Sequence, residues 1–409
     1  MREMKDSGIE WIGEIPADWA KTRIGNLFRF SSGDSLTNEE IQDEGLYKVY
    51  GANGPRGYYH HTNIAGKHIL IGRVGALCGN IHVVDEPVWV TEHALIAEQI
   101  SPGVLTDFAA RVFESMNLGQ YSKASAQPVI ASSVVQRLQI PIPPSLEQRR
   151  IADYLDRKCS QIDAIIARQQ EVIEKLKAYK LAVITEVVTK GLNPDVPMND
   201  SGVEWIGEIP EHWDFRRIKN CCLIVDCKNR TPDPNPDGEY IVVRTTCIRD
   251  GSFSYEGSYH TNAENFKEWT AKGQPQHGDI FFTREAPMGE ACLVPDTDNL
   301  CMGQRVMFFR PLDGSDPRYI LYSIYGPLAR EYIDSKNKGS TVGHLKLGQV
   351  ASLPLFYCPP REQSEIANYL DKRCGAIDKV VEKKAEIISR ITDYKKSLIY
   401  EVVTGKKEV

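Results

Sequence analysis

PPSLEQRRIADYLDRKCSQIDAI, residues 143–165, returns as PPREQSEIANYLDKRCGAIDKV, residues 359–380. Glu147-Gln148, Ile151-Ala152, Tyr154-Leu155-Asp156, Cys159 and Ile162-Asp163 match Glu362-Gln363, Ile366-Ala367, Tyr369-Leu370-Asp371, Cys374 and Ile377-Asp378 at a constant offset of 215. The register holds without a gap to Thr189 and Thr404. Apolar residues recur every three or four positions: Ile151, Leu155, Ile162, Ile166, Ile173, Leu176, Val183 and Val187, then Ile366, Leu370, Ile377, Val381, Ile388, Ile391, Leu398 and Val402. That is helical spacing. Each tract starts after Pro-Pro and stops at Gly191 or Gly405, as helices do. About 43 residues make a rod of roughly 65 Å. Such a rod cannot bury its stripe alone, so two in one chain most simply bury it against each other. Gln169/Lys384 and Lys180/Lys395 interrupt the stripes and are expected to fix the register.

A second phrase is also written twice, DSGIEWIGEIPADW at 6–19 and DSGVEWIGEIPEHW at 200–213, at an offset of 194. Ser7-x-x-Glu10 and Ser201-x-x-Glu204 have capping-box spacing and predict a short helical turn. Gly13 and Gly207 end it, and Pro16 and Pro210 turn the chain. Trp11, Trp19, Trp205 and Trp213 are expected to dock this clip on the rods or on a partner. The two offsets differ by 21 residues, which must enter within 20–141 and 214–354, where the halves barely resemble each other. Both stretches carry short strand-like runs: KHILIGRV and NIHVVDEPVWV in the first, EYIVVRTTCI, GDIFFTRE and CMGQRVMFFRP in the second. Each reads as a mainly β domain. The expected fold class is α+β: two mainly β globular domains separated by two long helices, with an internal two-fold repeat. In chain order the divisions are 1–145, first domain with its N-terminal phrase; 146–191, first helix; 192–358, linker phrase and second domain; 359–409, second helix.

The chain has 409 residues, 42% hydrophobic and 25% charged, an ordinary globular composition. Its start, MREMKDSG, lacks a secretory apolar region, and no apolar run reaches the roughly 18–20 residues of a membrane span. A cytoplasmic, non-membrane protein is expected. The ten cysteines are scattered without CxxC spacing, which suits reduced thiols and no metal. A net charge of −6 opposes a free-standing nucleic-acid binder. Ala65-Gly66-Lys67 is not a phosphate loop, and no GxGxxG after a strand, HExxH or GxSxG is present. An Asp/Asn-Pro-Pro-aromatic tetrad for holding an extruded base is also missing. His93, His344 and the His60-His61 pair read as surface or core histidines. No catalytic residue is expected, and a twofold frame carrying dissimilar heads suggests recognition. A helical interaction scaffold without a nucleic-acid role stays open at this point.

The phrase DSGxEWIGEIPxxW, the helix start PPxxEQxxIAxYLDxxxxxID (143–163, one residue shorter between PP and EQ at 359–378) and the ending YKxxLxxEVVT (394–404, with Val183 for the leucine at 179–189) resemble the specificity (S) subunit of type I restriction–modification systems. YKVYGANGPRGYYHHTN, residues 47–63, is typical of it as well. The resemblance spans essentially the whole chain. It implies two target-recognition domains, each reading one half of an asymmetric bipartite site in double-stranded DNA. It also implies that the helices form an antiparallel pair that sets the gap between half-sites and docks two methyltransferase (M) subunits. The chain would be the non-catalytic member of an adenine-N6 methyltransferase and ATP-dependent endonuclease complex that includes restriction (R) subunits. Cofactors are expected on those partners, S-adenosylmethionine, ATP and magnesium, with none in this chain. The family's loop before each rod tends to lie against DNA, which points to Lys123, Ser125 and Gln127, and to Lys338, Ser340 and Thr341. The first domain has Ala-Ser-Ala-Gln where the family usually has Gly-Ser-Thr. Arg73 and Arg284 follow ILIG and IFFT at matching places; with Arg305 and His344 they are further DNA-binding candidates, because such donors suit base edges. Near charge balance fits if the partners supply much of the phosphate grip. An inactive relative without its own DNA-targeting role stays open.

Overall fold

The computed structural model describes residues 2–122, 128–336 and 343–409. Both apolar stripes are helical, over Ser145–Lys190 and Pro360–Val403. Packing divides the chain within these helices rather than at their ends. One compact unit is Met1–Gln170 with Ala385–Val409, and the other is Glu171–Lys384. The expected divisions follow the chain; the packed units instead each own the start of one helix and the end of the other.

In the first unit, Ile151, Leu155, Cys159 and Ile162 share a core with Leu398, Ile399, Val402 and Val403. In the second, Val183, Ile184, Val187 and Val188 share one with Ile366, Ala367, Leu370 and Cys374. The start of one helix thus lies on the end of the other, the antiparallel arrangement. The lysines that interrupt the stripes are paired across it. Lys395 Nζ is 2.8 Å from Asp163, and Lys180 Nζ is 2.7 Å from Asp378. Such partly exposed pairs contribute about 1 kcal/mol or less. Their use is register, since a slip of one turn, about 5.4 Å, separates the charges.

The repeated phrase is not helical. In both units it is a β-hairpin, Met4–Ile9 against Gly13–Pro16 and Met198–Asp200 against Glu208–Pro210. Ser7 Oγ accepts from the Ile9 amide at 3.0 Å and Asp6 Oδ1 from the Gly8 amide at 2.8 Å. These contacts reach two residues on, not three, and favour turns over a helix start. Gly8 and Gly13, at φ 62° and 75°, complete the departure from helical backbone. Asp200 and Ser201 make the same two contacts.

From there the element order is shared. Ala20–Arg23 pairs with Gln139–Ile142, and Asp214–Arg217 with Pro354–Tyr357, tying the entry of each head to the strand before its long helix. Between them lies a four-stranded antiparallel sheet. Its order is Phe28–Ser32, Ala94–Gln99, His68–Gly72, Ile81–Val84 in the first unit and Cys222–Val225, Val306–Pro311, Ile280–Thr283, Ala291–Leu293 in the second. A three-stranded sheet repeats likewise. Tyr47–Gly51 lies between Gly54–Tyr59 and the parallel Trp89–Val90, and Tyr240–Val243 between Tyr259–Thr261 and the parallel Leu300–Met302. Ile69, Leu70 and Ile71, like Ile280, Phe281 and Phe282, are buried. A strand covered on both faces reads as a continuous apolar run, hence ILIG and IFFT. Phe28 and Cys222 stand 194 apart but Ile69 and Ile280 211 apart. Most of the added length enters here, building the hairpin Ile248–Arg249 with Ser252–Phe253 and the helix Ala263–Trp269.

All ten cysteines are unpaired and nine are buried. Burial pushes the Cys301 and Cys358 thiols up to about 12, so they pack rather than react. Among the described residues no helix is long and apolar enough to cross a membrane.

Each unit is closed by one tryptophan. Trp19 Nε1 donates to Glu147 at 3.0 Å, in the first turn of one helix. Its ring packs on Gly405, just past the end of the other, at φ 72°. Trp213 repeats the arrangement with Glu362 at 3.1 Å and Gly191 at φ 73°. The neighbouring glutamines, Gln148 and Gln363, are buried and accept from the Leu105 and Asp316 amides at 2.8 and 3.0 Å. Those residues cap the helices Thr106–Ser115 and Pro317–Tyr325. The Glu-Gln dipeptide therefore holds the hairpin with one side chain and the head with the other.

A Cβ at 405 would lie 3.1 Å from the Trp19 ring and against Pro16, and one at 191 would lie 3.3 Å from Trp213. Left-handed backbone and overpacking each cost about 1–2 kcal/mol. Gly405→Ala should therefore lower the thermal midpoint clearly, and Gly191→Ala less, in calorimetric melts. An unchanged midpoint for Gly405→Ala would refute the clamp.

Candidate nucleic-acid interface

In the second unit three strand ends meet. Val225 neighbours Phe308 and Thr283 neighbours Val306 across antiparallel ladders, so the residues next in chain, Asp226, Arg284 and Arg305, converge at one end of the sheet. Arg284 is only 9% exposed. Its Nη1 donates to both Asp226 oxygens at 2.8 and 3.0 Å, and its Nε to the Leu345 carbonyl at 3.1 Å. Nη2 lies 3.2 Å from His344 Nε2. A guanidinium can only donate, so this imidazole nitrogen accepts, and the ring proton is assigned to Nδ1, 3.3 Å from Glu285 Oε2. The same Oε2 forms an ion pair with Arg305, 2.8 Å from its Nε.

The result is a chain of alternating partners, Asp226–Arg284–His344–Glu285–Arg305. Its inner end is fixed to the sheet, because the Arg284 amide donates to the Arg305 carbonyl and the Leu345 amide to the Arg284 carbonyl, both at 3.0 Å. Its outer end is open: the His344 and Arg305 side chains are each 44% exposed.

The first unit builds the same corner from other residues. Arg73 donates its amide to the His93 carbonyl at 2.9 Å and accepts from the Ile130 amide at 3.0 Å. Arg73 Nη1 donates to Ser32 Oγ at 2.9 Å, where the second unit has Asp226. Val74 bridges Val129 where Glu285 bridges His344, and His93 stands where Arg305 does. Arg73 Nε is buried with no hydrogen-bond partner among the described residues.

Of the sequence candidates, Arg284, Arg305 and His344 are thus brought together, with Arg284 holding the others from inside. Arg73 occupies the equivalent place in the first unit. Lys123, Ser125 and Gln127, with Lys338, Ser340 and Thr341, lie outside the described residues. Trp19 and Trp213 are buried clamps. Trp11 is half-buried, its ring 6.3 Å from that of Tyr400. Trp205 remains 48% exposed, and Thr185 holds the helix position that Tyr400 has in the other copy. Sequence reasoning missed Asp226 and Glu285, because a search for DNA donors passes over carboxylates. Glu285 follows Arg284 directly, and Ser32/Asp226 keep the offset of the opening phrase, which were available signals. Among the described residues no group of His, Cys, Asp and Glu could hold a metal ion.

Residues 16–175 and 210–389 each match the family described as the type I restriction modification DNA specificity domain. The chain belongs to this family. It is similar to the type I restriction enzyme EcoprrI specificity subunit of Escherichia coli, 35% identical over 148 residues that make up 35% of this chain and 37% of that one. A longer match, 21% identical, joins 97% of this chain to 94% of the MjaVIII specificity subunit of Methanocaldococcus jannaschii. Among solved structures, a chain from work on complex assembly and conformational transition of the type I R-M system shares the fold. Its TM-score is 0.65 at 14% identity, covering 96% of this chain and 99% of that one. The two specificity domains thus share one frame and carry unlike side chains at its open corner.

Because Arg284 is buried with a carboxylate, removing it strands Asp226. Arg284→Ala should cost about 2–3 kcal/mol, and the Asp226→Ala, Arg284→Ala double variant should cost less than the two single changes together. Urea unfolding of the four proteins checks this; additive costs would show that the pair does not hold the corner.

Proposed function

We propose that this chain is the DNA-reading subunit of a type I restriction–modification complex, each head reading one half of an asymmetric bipartite target. The observation that carries this reading is the contrast between frame and corner. Strand order, helix clamps and interhelical ion pairs repeat, while Ser32, Val74, His93 and Val129 are replaced by Asp226, Glu285, Arg305 and His344. Unlike side chains at one place on a common frame are what two unlike half-sites require. The chain itself performs no catalysis in this reading. Two methyltransferase subunits, using S-adenosylmethionine, modify adenine N6 after extruding the base, and restriction subunits use ATP and magnesium. The paired helices set the gap between half-sites. With a net charge of −6, the chain relies on its partners for much of the phosphate contact.

Trp205 is part of the proposed methyltransferase docking surface. It lines an open depression of about 420 Å³ with Pro327, Glu331, Asp334 and Ser335, an apolar floor with an acidic rim.

Co-expressed with its methyltransferase partner, the chain should form a complex with two copies of it and direct methylation to one bipartite motif, read by sequencing methylated adenines. Replacing residues 214–354 with another family member's head should change one half-site only. A palindromic motif, or a change in both halves, would refute one head per half-site. Inserting four residues at matching places in both helices, within 166–176 and 381–391, adds about 6 Å to each. The unspecified gap should then lengthen by about one or two base pairs with both half-sites unaltered; an active variant with the original gap would remove the helices from that role.

A further inference from the structure

We propose that Arg305 reads a guanine in the half-site of the second head, and that Glu285 and His344 are its positioning residues. The inference rests on the DNA-reading function above and assigns the base to a residue. Arg305 is ion-paired with Glu285, its Nε 2.8 Å from the carboxylate, while 44% of its side chain is exposed. A guanidinium is a planar fork, and ion pairing on its Nε side keeps the terminal Nη pair for the O6 and N7 acceptors of guanine in the major groove. Glu285 is in turn braced by His344, and His344 by the buried Arg284. The fork is therefore ordered before DNA arrives, and less side-chain freedom is lost on binding.

Two observations separate this role from a phosphate contact. First, Glu285 puts a carboxylate beside the guanidinium. It would repel a phosphate, whereas the cytosine paired with a guanine offers an N4 amino donor that a carboxylate can accept. The cluster holds two arginines and two carboxylates around a neutral imidazole, a poor attractor for a bare anion. Second, Arg305 has φ 72°, a costly conformation for a residue with a long side chain. Its amide donates to Cys227 Sγ at 3.2 Å and its carbonyl accepts from Arg284 at 3.0 Å, so the unusual backbone is locked at both sides. His93, its counterpart in the first head, is absent from the described residues with positive φ and faces no such network, since Val74 and Val129 replace Glu285 and His344. The guanine reading belongs to the second half-site alone.

The test uses the full chain co-expressed with its methyltransferase partner, with the motif read from methylated adenines and complex formation followed by size-exclusion chromatography. Arg305→Asn tolerates left-handed backbone, and Arg305→Lys keeps the charge without the fork. Both should leave the complex and the first half-site intact and relax one G·C position of the second about 10- to 100-fold. Glu285→Gln should relax the same position to a smaller extent. An unchanged second half-site in both Arg305 variants overturns the proposal, as does a uniform loss across all sequences, the mark of a phosphate contact. If the wild-type complex methylates no motif, the DNA-reading function itself fails and this inference falls with it; a wild-type motif untouched by Arg305 refutes the inference alone.

Discussion

The indole of Trp19 grips the start of one long helix and the end of the other, and Trp213 does the same in the second unit. Each ring donates to a glutamate in a first helical turn and lies on a glycine past a last turn. A carboxylate at a helix N-terminus is already favoured by the exposed amides there, so Glu147 and Glu362 serve helix and hairpin together. In the first unit, Arg2 strengthens the grip. It bonds to Glu147 and Asp18, which holds its proton tighter than usual, while its hydrogen bond keeps the Asp18 carboxyl below the ordinary range. The glycines are required because their left-handed backbone brings the chain flat against the ring.

With the helix ends held, the heads have little freedom at their roots. The strand leading into each head pairs with the strand leading out, and Gln148 and Gln363 pin the helix that follows the sheet. Everything between those anchors can change in length and chemistry without disturbing them. The second unit's inserted hairpin and helix show the tolerance for length, and the sheet corner shows it for chemistry. A single hydrogen bond from the Arg73 guanidinium to the Ser32 hydroxyl and a five-residue chain with two ion-paired arginines occupy the same place on the same strand order.

The ionic chain also explains why its members should be judged together. Arg284 alone looks like a DNA contact by residue type, yet it is buried and committed to Asp226 and Leu345. His344 takes its orientation from it directly, and Arg305 through His344 and the Glu285 carboxylate, which only accepts. A buried ion pair is weak evidence of stability by itself. Here it fixes the direction of exposed groups, which is the use the proposed guanine contact makes of it.

The repeat, the two helices and the paired β heads were legible in the sequence, because a 3.6-residue apolar period and short β-branched runs are local signals that packing had no reason to override. The strand-end position of Arg73 and Arg284 was legible too, from the buried runs that precede them. The hairpin in the opening phrase was not: a serine followed three residues later by a glutamate suits a helix cap or a turn equally, and Asp6, Ser7 and two left-handed glycines decided it through backbone contacts two residues away. Nor could the sequence divide the helices between the units, since an apolar stripe states that it will be buried but not against what. Only the tertiary structure put Asp226, Glu285, Arg305 and His344 within hydrogen-bonding reach. They lie on four separate segments spanning more than a hundred residues, and strand order, which no local pattern encodes, is what brings such segments together.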